Sequence, residues 1–436
     1  MHEEFNKIIG YEPIKRELDQ LCDILRFPEK YQRLGVKTPM GLVLHGRPGL
    51  GKSLMAECLI KGTGRKVFTC RKDLPNGEFV KKIKGTFDEA IANAPSIVFL
   101  DDMDKFANGD VDFPDSEEYV TVQACIDSAK GKNVFVLATA NSLRNLPRSL
   151  LRCGRFDREI RVNHPSHADS GSIIRHYLSS KPVDKNIDVD LIVRIMDGCS
   201  CAELESVLNE AGLCAAYSNS ETIKMEHFLE ACLPVVFDAP GKQFFDEGTT
   251  WKDSLQDSSS AKALIAYHEA GHIVVSEALD PGIVTVASVH GRHGSKGGFT
   301  AYSGRGDRLI VPNRMKEITG ALGGIAAIDQ KFGFRSAGGS RDLSQAFNMM
   351  RELIVDHCIL GMEYYSDPEE TSESRAKQEV RTANEVERLY QKAKTILASN
   401  LALLDAVAEA LATKGVITAT DIAGLKEKYR LVCSVV

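Results

Sequence analysis

GLVLHGRPGLGKSLMAECL, residues 41–59, decides the class of fold. Gly41 to Leu44 read as a short buried strand, and an apolar-periodic helix follows the glycines. Between them, Gly46-Arg47-Pro48-Gly49-Leu50-Gly51-Lys52-Ser53 fits the phosphate-loop pattern. Strand, glycine loop and helix in that order are the context this motif requires. Glycines let backbone N–H groups curl around a β-phosphate, and the helix N-terminus faces its negative charge. Lys52 is then expected to reach the β- and γ-phosphates and the Ser53 hydroxyl to bind Mg²⁺. Gly46, Pro48, Gly49, Leu50, Gly51, Lys52, Ser53 and Leu54 are therefore the candidate ATP-binding residues. A plain glycine turn before a helix is the alternative, and Lys-Ser in register argues against it.

SIVFLDDMD (residues 96–104) extends the reading. Ser96 to Leu100 is a continuous apolar run, as a parallel sheet buried on both faces requires. It ends in Asp101 and Asp102, at the strand edge where α/β sheets bind ligands. Asp101 is the candidate Mg²⁺ ligand and Asp102 the group that polarises the attacking water. Further strands are expected at Lys66 to Cys70, Asn133 to Asn141 and Arg158 to Val162, alternating with helices. An α/β domain results.

AYHEAGHIVV (residues 266–275) carries different chemistry. Leu264, Tyr267, Gly271, Val274, Val275 and Ala278 recur at helical spacing, Ser258 to Ser260 offer caps, and Asp280-Pro281-Gly282 stops the helix. Residues four apart stack on one helix face, so His268 and His272 can grip one zinc ion. Glu269 then stands beside the attacking water as candidate general base. Gly271 in mid-helix costs about 1 kcal/mol relative to Ala, which suits a place where something approaches the backbone closely. The stretch alone also fits a helix with two solvated histidines.

The 436 residues are too many for one core, so two or three domains are expected. The net charge of −6 gives no sign of a nucleic-acid partner. Eleven scattered cysteines, an odd number with no Cys-x-x-Cys pair, suggest reduced thiols in a cytoplasmic setting. No apolar run approaches the ~18–20 residues that cross a bilayer, so no membrane segment is expected within this chain.

Three longer segments bring out a resemblance. IIGYEPIKRELDQLCDILRFPEKYQRLGVKTPMGLVLHGRPGLGKS (8–53), VFVLATANSLRNLPRSLLRCGRFDREI (134–160) and CSCAELESVLNEAGLCAA (199–216) look like an AAA ATPase module. With the zinc motif downstream, the chain resembles the FtsH family of ATP-dependent metalloproteases over nearly its whole length. The resemblance implies an α/β AAA ATPase domain (1–165), a small helical lid (166–238), a linker (239–258) holding Trp251, and a mainly α-helical zinc metallopeptidase domain (259–436). It implies a homo-hexamer acting on polypeptide substrates. It matches Asn141 to a γ-phosphate sensor, and Arg152 and Arg155 to arginine fingers reaching a neighbour's nucleotide. Ile9 and Gly10 match backbone bordering adenine, His176 a residue packing near the base, and Cys201 and Ala202 lid residues closing over it. Spacing alone leaves Asp342, Asp329 and Glu317 open as a third zinc ligand; the resemblance selects Asp342. GGFTAY (297–302) resembles an edge strand on which substrate is laid.

The chain departs from the family pattern at several places. Asp102 stands where glutamate is usual and Cys153 where proline is. Ile325 and Ile328 replace charged residues, and the family's membrane-spanning segment has no counterpart. EFVKKIKGTFDEA (78–90) matches the substrate-gripping pore loop, with Ile83 in the place of an aromatic and Lys81, Lys82 and Lys84 around it. Weak translocation of folded substrates, or a preference for acidic segments, is the expectation.

Overall fold

The computed structural model describes residues 2–107, 116–239, 255, 260–291, 297–304, 309–365 and 372–434. The expected linker and Trp251 lie outside them, apart from Ala239 and Leu255. By contacts the chain divides into two compact units, one of residues 1–183 and 198–210, the other of 184–197 and 211–436.

In the first unit, helices α1 (Glu12–Arg26) and α2 (Pro28–Gln32) precede strand β1 (Gly41–His45). Helix α3 (Lys52–Thr63), β2 (Lys66–Cys70), α4 (Asn76–Ala92), β3 (Ser96–Leu100), α5 (Glu117–Ala129), β4 (Val134–Ala140), β5 (Arg158–Arg161) and α6 (His167–Leu178) follow. The strands pair in parallel in the order β2-β3-β4-β1-β5. β1, β3 and β4 lie inside the sheet, and β3 and β4 are buried along their whole length, as their unbroken apolar runs demand. The C-terminal ends of β1, β3 and β4 therefore share one edge, which is where the phosphate loop, Asp101 and Asn141 sit.

Helix α4 corrects one expectation. The segment matched to a pore loop lies within a regular helix, and Phe79, Val80, Ile83, Phe87 and Ala90 form its buried face. Ile83 is 0% exposed. Phe79 meets Phe106 edge-on, with ring centroids 4.9 Å apart. Exposing Phe79, Ile83 and Phe87 to make a gripping loop would cost about 1.5–3 kcal/mol each. Lys82 pairs with Asp73 at 2.7 Å, and Lys81 and Lys84 lie on the solvent side of the same helix. Packing decides this segment, so it presents neither a loop nor an apolar gripping side chain, only lysines.

Helices α7 (Val189–Ile195), α8 (Cys201–Tyr217) and α9 (Met225–Phe237) come next. The remainder comprises α10 (Ala261–Leu279), β6 (Val284–Ser288), β7 (Phe299–Tyr302), α11 (Val311–Phe332), α12 (Ser340–Arg351), α13 (Ser372–Ala398), α14 (Leu401–Lys414), β8 (Val416–Thr418) and α15 (Ala419–Tyr429). A small antiparallel sheet runs β7-β6-β8, so β7 is an edge strand as expected. Buried residues of α10, α11, α13 and α14 build one continuous core. Helices α10 and α11 cross at glycines. A Cβ on Gly271 would lie 2.3 Å from Gly323 O, and one on Gly323 would lie 2.6 Å from Gly271 O. Among the described residues no single helix is long and apolar enough to cross a membrane.

Candidate active sites

The phosphate loop turns through left-handed backbone at Gly49 (φ 77°) and Gly51 (φ 86°). At Gly46 even the smallest side chain is excluded, because a Cβ would come within 2.1 Å of Val162 O. Lys52, 7% exposed, donates to Gly46 O (2.7 Å), Arg47 O (2.9 Å) and Asn141 Oδ1 (3.0 Å). Burial pushes the Lys52 ammonium below its ordinary pKa, and an anionic ligand would offset that loss of hydration. Lys52 and Asn141, distant in sequence, thus share one locus.

The acidic pair is set by a residue the sequence reading missed. Thr139 Oγ1 donates to Asp101 Oδ1 and accepts from Asp102 N, both at 2.8 Å. Asp102 holds a left-handed backbone (φ 52°), a strained state for a residue with a Cβ. Its carboxylate pairs with Lys105 at 2.8 Å and faces Arg71 at 3.6 Å. A threonine inside the fully buried β4 was the available signal, because a buried hydroxyl needs partners.

Around the base-binding end, Tyr11 N donates to Asp169 Oδ1 (2.9 Å) and Tyr11 Oη lies 3.5 Å from Cys201 Sγ. Gly10 lies against Asp169, and Ala202 N donates to Gly49 O at 3.0 Å. Gly10, Cys201 and Ala202 are therefore gathered with the phosphate loop, and Ile9 adjoins them half-buried. His176 is exposed near the end of α6, its ring 5.7 Å from that of Tyr177. The two arginines differ. Arg155 is held by Asp127 (2.8 Å) and Ser149 O (2.5 Å), and that bond draws the Asp127 carboxyl down to about 2. Arg152 is exposed and makes no ion pair among the described residues.

In the second unit, α10 projects His268 and His272 from one face, and α12 brings Asp342 to them. His268 Nε2 lies 3.0 Å from Asp342 Oδ2 and 3.1 Å from His272 Nε2, and His272 Nε2 lies 3.6 Å from Asp342 Oδ2. Three ligands of one tetrahedral zinc at about 2.0–2.2 Å would sit about 3.3–3.6 Å apart, so the cluster fits that ion. Gly320 O, 2.9 Å from His272 Nδ1, fixes the tautomer that turns Nε2 towards the cluster. Burial alone would lower the His272 pKa, but the Asp342 and Glu269 carboxylates and Gly320 O together outweigh it and the net shift is upward. A positive charge is favoured there. Asp329 is elsewhere, bonded to Tyr390 (2.7 Å) and Lys394 (2.9 Å), and Glu317 lies 3.7 Å from Arg314. Ile325 packs under Gly339, steadying the turn that delivers Asp342.

Glu269, 4% exposed, is pushed up in pKa chiefly by burial. Thr300 Oγ1 of the edge strand donates to its Oε2 at 2.8 Å. A cavity of about 720 Å³, lined by His268, Glu269, His272, Thr300, Ile328 and Asp342 among others, opens onto these groups. Asp342→Ala should weaken zinc binding by more than the ~10–100-fold typical of losing an outer partner. Competition with a chelator measures this, and unchanged affinity would remove Asp342 from the ligand set.

A phosphate-loop ATPase and a zinc-type peptidase thus share one chain, which places the protein among the energy-dependent metalloproteases. Comparison with known families agrees. The model for "ATPase family associated with various cellular activities (AAA)" matches residues 42–164, that for "AAA+ lid domain" 186–230, and that for "Peptidase family M41" 256–425. The ATP-dependent zinc metalloprotease FtsH of Caldicellulosiruptor bescii is 30% identical over 96% of this chain and 71% of its own length. FtsH 4 of Synechocystis is 30% identical over 96% and 70%, and FtsH 1 of Thermomicrobium roseum 29% over 98% and 68%. The chain belongs to the FtsH family of ATP-dependent zinc metalloproteases. It is a protease with ATPase activity, and its cofactors are zinc, ATP and Mg²⁺.

Proposed function

We propose that the chain works as a homo-hexameric ring in which ATP hydrolysis at subunit contacts delivers polypeptides to the zinc sites. The observation that carries the reading is the convergence of His268, His272 and Asp342 beside the buried Glu269, at a cavity bordered by an edge strand. The proposed domain division is ATPase 1–165, lid 166–238, linker 239–258 and peptidase 259–436. It is supported by the three matched ranges.

His268, His272 and Asp342 would hold zinc, which when bound polarises a carbonyl and lowers the pKa of a water. Glu269 takes the proton from the attacking water and returns it to the departing amine. Backbone of β7 lines up the substrate strand by hydrogen bonds. At the ATP site, Lys52 and Asn141 contact the γ-phosphate, Ser53 and Asp101 would hold Mg²⁺, and Asp102 orients the attacking water. Gly46, Pro48, Gly49, Leu50, Gly51 and Leu54 shape the phosphate loop; Ile9, Gly10, His176, Cys201 and Ala202 border the base. Arg152 is free to reach a neighbour's nucleotide, whereas Arg155 first has to release Asp127. Eleven scattered cysteines with no Cys-x-x-Cys pair suit a reducing cytoplasm.

Because α4 buries the segment expected to grip substrate, the ring is a weak unfoldase that feeds loosely structured chains. The test compares degradation of casein and of a stably folded domain, with ATP, without nucleotide, and in Lys52→Ala. ATP-stimulated cleavage of casein, lost in Lys52→Ala, with the folded domain largely spared, is expected. No casein cleavage despite bound zinc and measurable ATPase would favour an ATP-driven remodelling ring instead.

A further inference from the structure

Strand β7 touches the peptidase site on one side and helix α9 of the lid region on the other, while α7 ties the residue that follows the strand, all within one compact unit. On the inner side, Thr300 engages Glu269 Oε2. The main chain itself lies against the same carboxylate. A Cβ on Gly298 would lie 2.6 Å from Glu269 Cγ and 2.9 Å from its Oε1. Glu269 is thus gripped at Oε2 by a hydroxyl, and the missing side chain of Gly298 leaves room beside Oε1 for the water whose proton it takes.

Successive strand residues face opposite ways, so Phe299 points away from Thr300. Its ring lies 5.0 Å from that of Phe237, the last residue of α9, at a 30° tilt, and both are nearly buried. The far end of the hairpin is tied as well. Arg194 of α7 donates through Nε to Ser303 Oγ (3.2 Å) and through Nη2, at close range, to Gly282 O.

We propose that Thr300 is a positioning residue for the general base, and that Phe237 and Arg194 of the lid helices hold the strand that presents it. Misplacing a catalytic group by about 1 Å can cost 10²-fold in rate, so a strand in contact with both elements can transmit lid position to the peptide-bond chemistry. The proposal rests on Glu269 being the base.

The test is steady-state cleavage of a short unstructured peptide, which needs no unfolding, by the full chain with zinc and ATP. Thr300→Val is expected to lower kcat at least about 10-fold with KM and zinc content little changed, the mark of an interaction made in the transition state. Thr300→Ser, which keeps the hydroxyl, should restore kcat to within about 3-fold. Phe237→Ala should lower kcat about 3–10-fold at unchanged ATPase, and Phe237→Tyr should retain it. In the double variant Phe237→Ala/Thr300→Val, the two losses should not add, because both act through one strand. Wild-type kcat in Thr300→Val, or fully additive losses in the double variant, would overturn the proposal. If Thr300→Val fails to fold, Thr300→Ser against Phe237→Ala still decides: equal losses in both would remove the hydroxyl's role. Glu269→Gln, run alongside, separates the failures. Its retained activity would mean the base is misassigned, whereas its inactivity beside a neutral Thr300→Val would sink the positioning role alone.

Discussion

Glu269→Gln is expected to lower peptide cleavage by about 10²- to 10⁴-fold, the usual worth of a positioned general base. Zinc content and ATP hydrolysis should stay at their wild-type levels. The substitution keeps volume and hydrogen-bonding capacity, so Thr300 can still donate to the amide oxygen; only the proton acceptor is lost. Glu269 is not among the three clustered ligands, which lie within 4.8 Å of one another without it. Its burial matters for the argument. An ionised carboxylate at 4% exposure is desolvated and so raised in pKa, which makes it a stronger base than a surface glutamate once its proton is off. The measurement is peptide turnover beside metal analysis of the same sample. Full turnover with normal zinc would show that another group accepts the proton.

Gly271→Ala should be the most damaging single-methyl change in the peptidase unit. The added carbon would sit 2.3 Å from Gly323 O and 2.5 Å from Ala327 Cβ. The first obstacle is helix backbone rather than the end of a flexible side chain, so relief requires α10 and α11 to part. Overpacking of this kind costs about 1–3 kcal/mol and occasionally more. Helix propensity would favour Ala over Gly by about 1 kcal/mol, so the sign of the result decides between the two effects. Separation of the helices would also pull His272 from Gly320 O and loosen the ligand cluster. Thermal unfolding and chelator competition should therefore both move, towards lower Tm and weaker zinc. An unchanged or raised Tm would mean that the crossing is looser than these distances show.

The sequence was most legible where chemistry is local. β3 falls at the expected residues because a buried parallel strand writes itself as an unbroken apolar run, and β2 falls as expected too although it is an edge strand exposed over most of its length. The phosphate loop and the two histidines are also local, since spacing along a turn or helix sets which side chains meet. Gly271 was a partial clue: its mid-helix cost pointed to a close approach, though not to which helix. Asp342 could not be chosen by spacing, as seventy residues separate it from His272 and only the fold brings them within 3.6 Å. Thr139 and Thr300 were missed for the same reason: their partners lie across a sheet or on another helix. The α4 error was of another kind. The period of Phe79, Ile83 and Phe87 stood in the sequence, and the likeness to a gripping loop outweighed it.

β7 has four residues and, among the described residues, a strand partner on one side only. An unpaired sheet edge invites indiscriminate association with other strands. So few residues offer only a handful of backbone hydrogen bonds, each worth about 0.5–1.5 kcal/mol net. Two such edges meeting would gain too little to hold two molecules together. A chain that also reaches His268, His272 and Asp342 gains a second attachment. Brevity here protects against self-association and leaves the edge to visitors that can anchor elsewhere in the cavity.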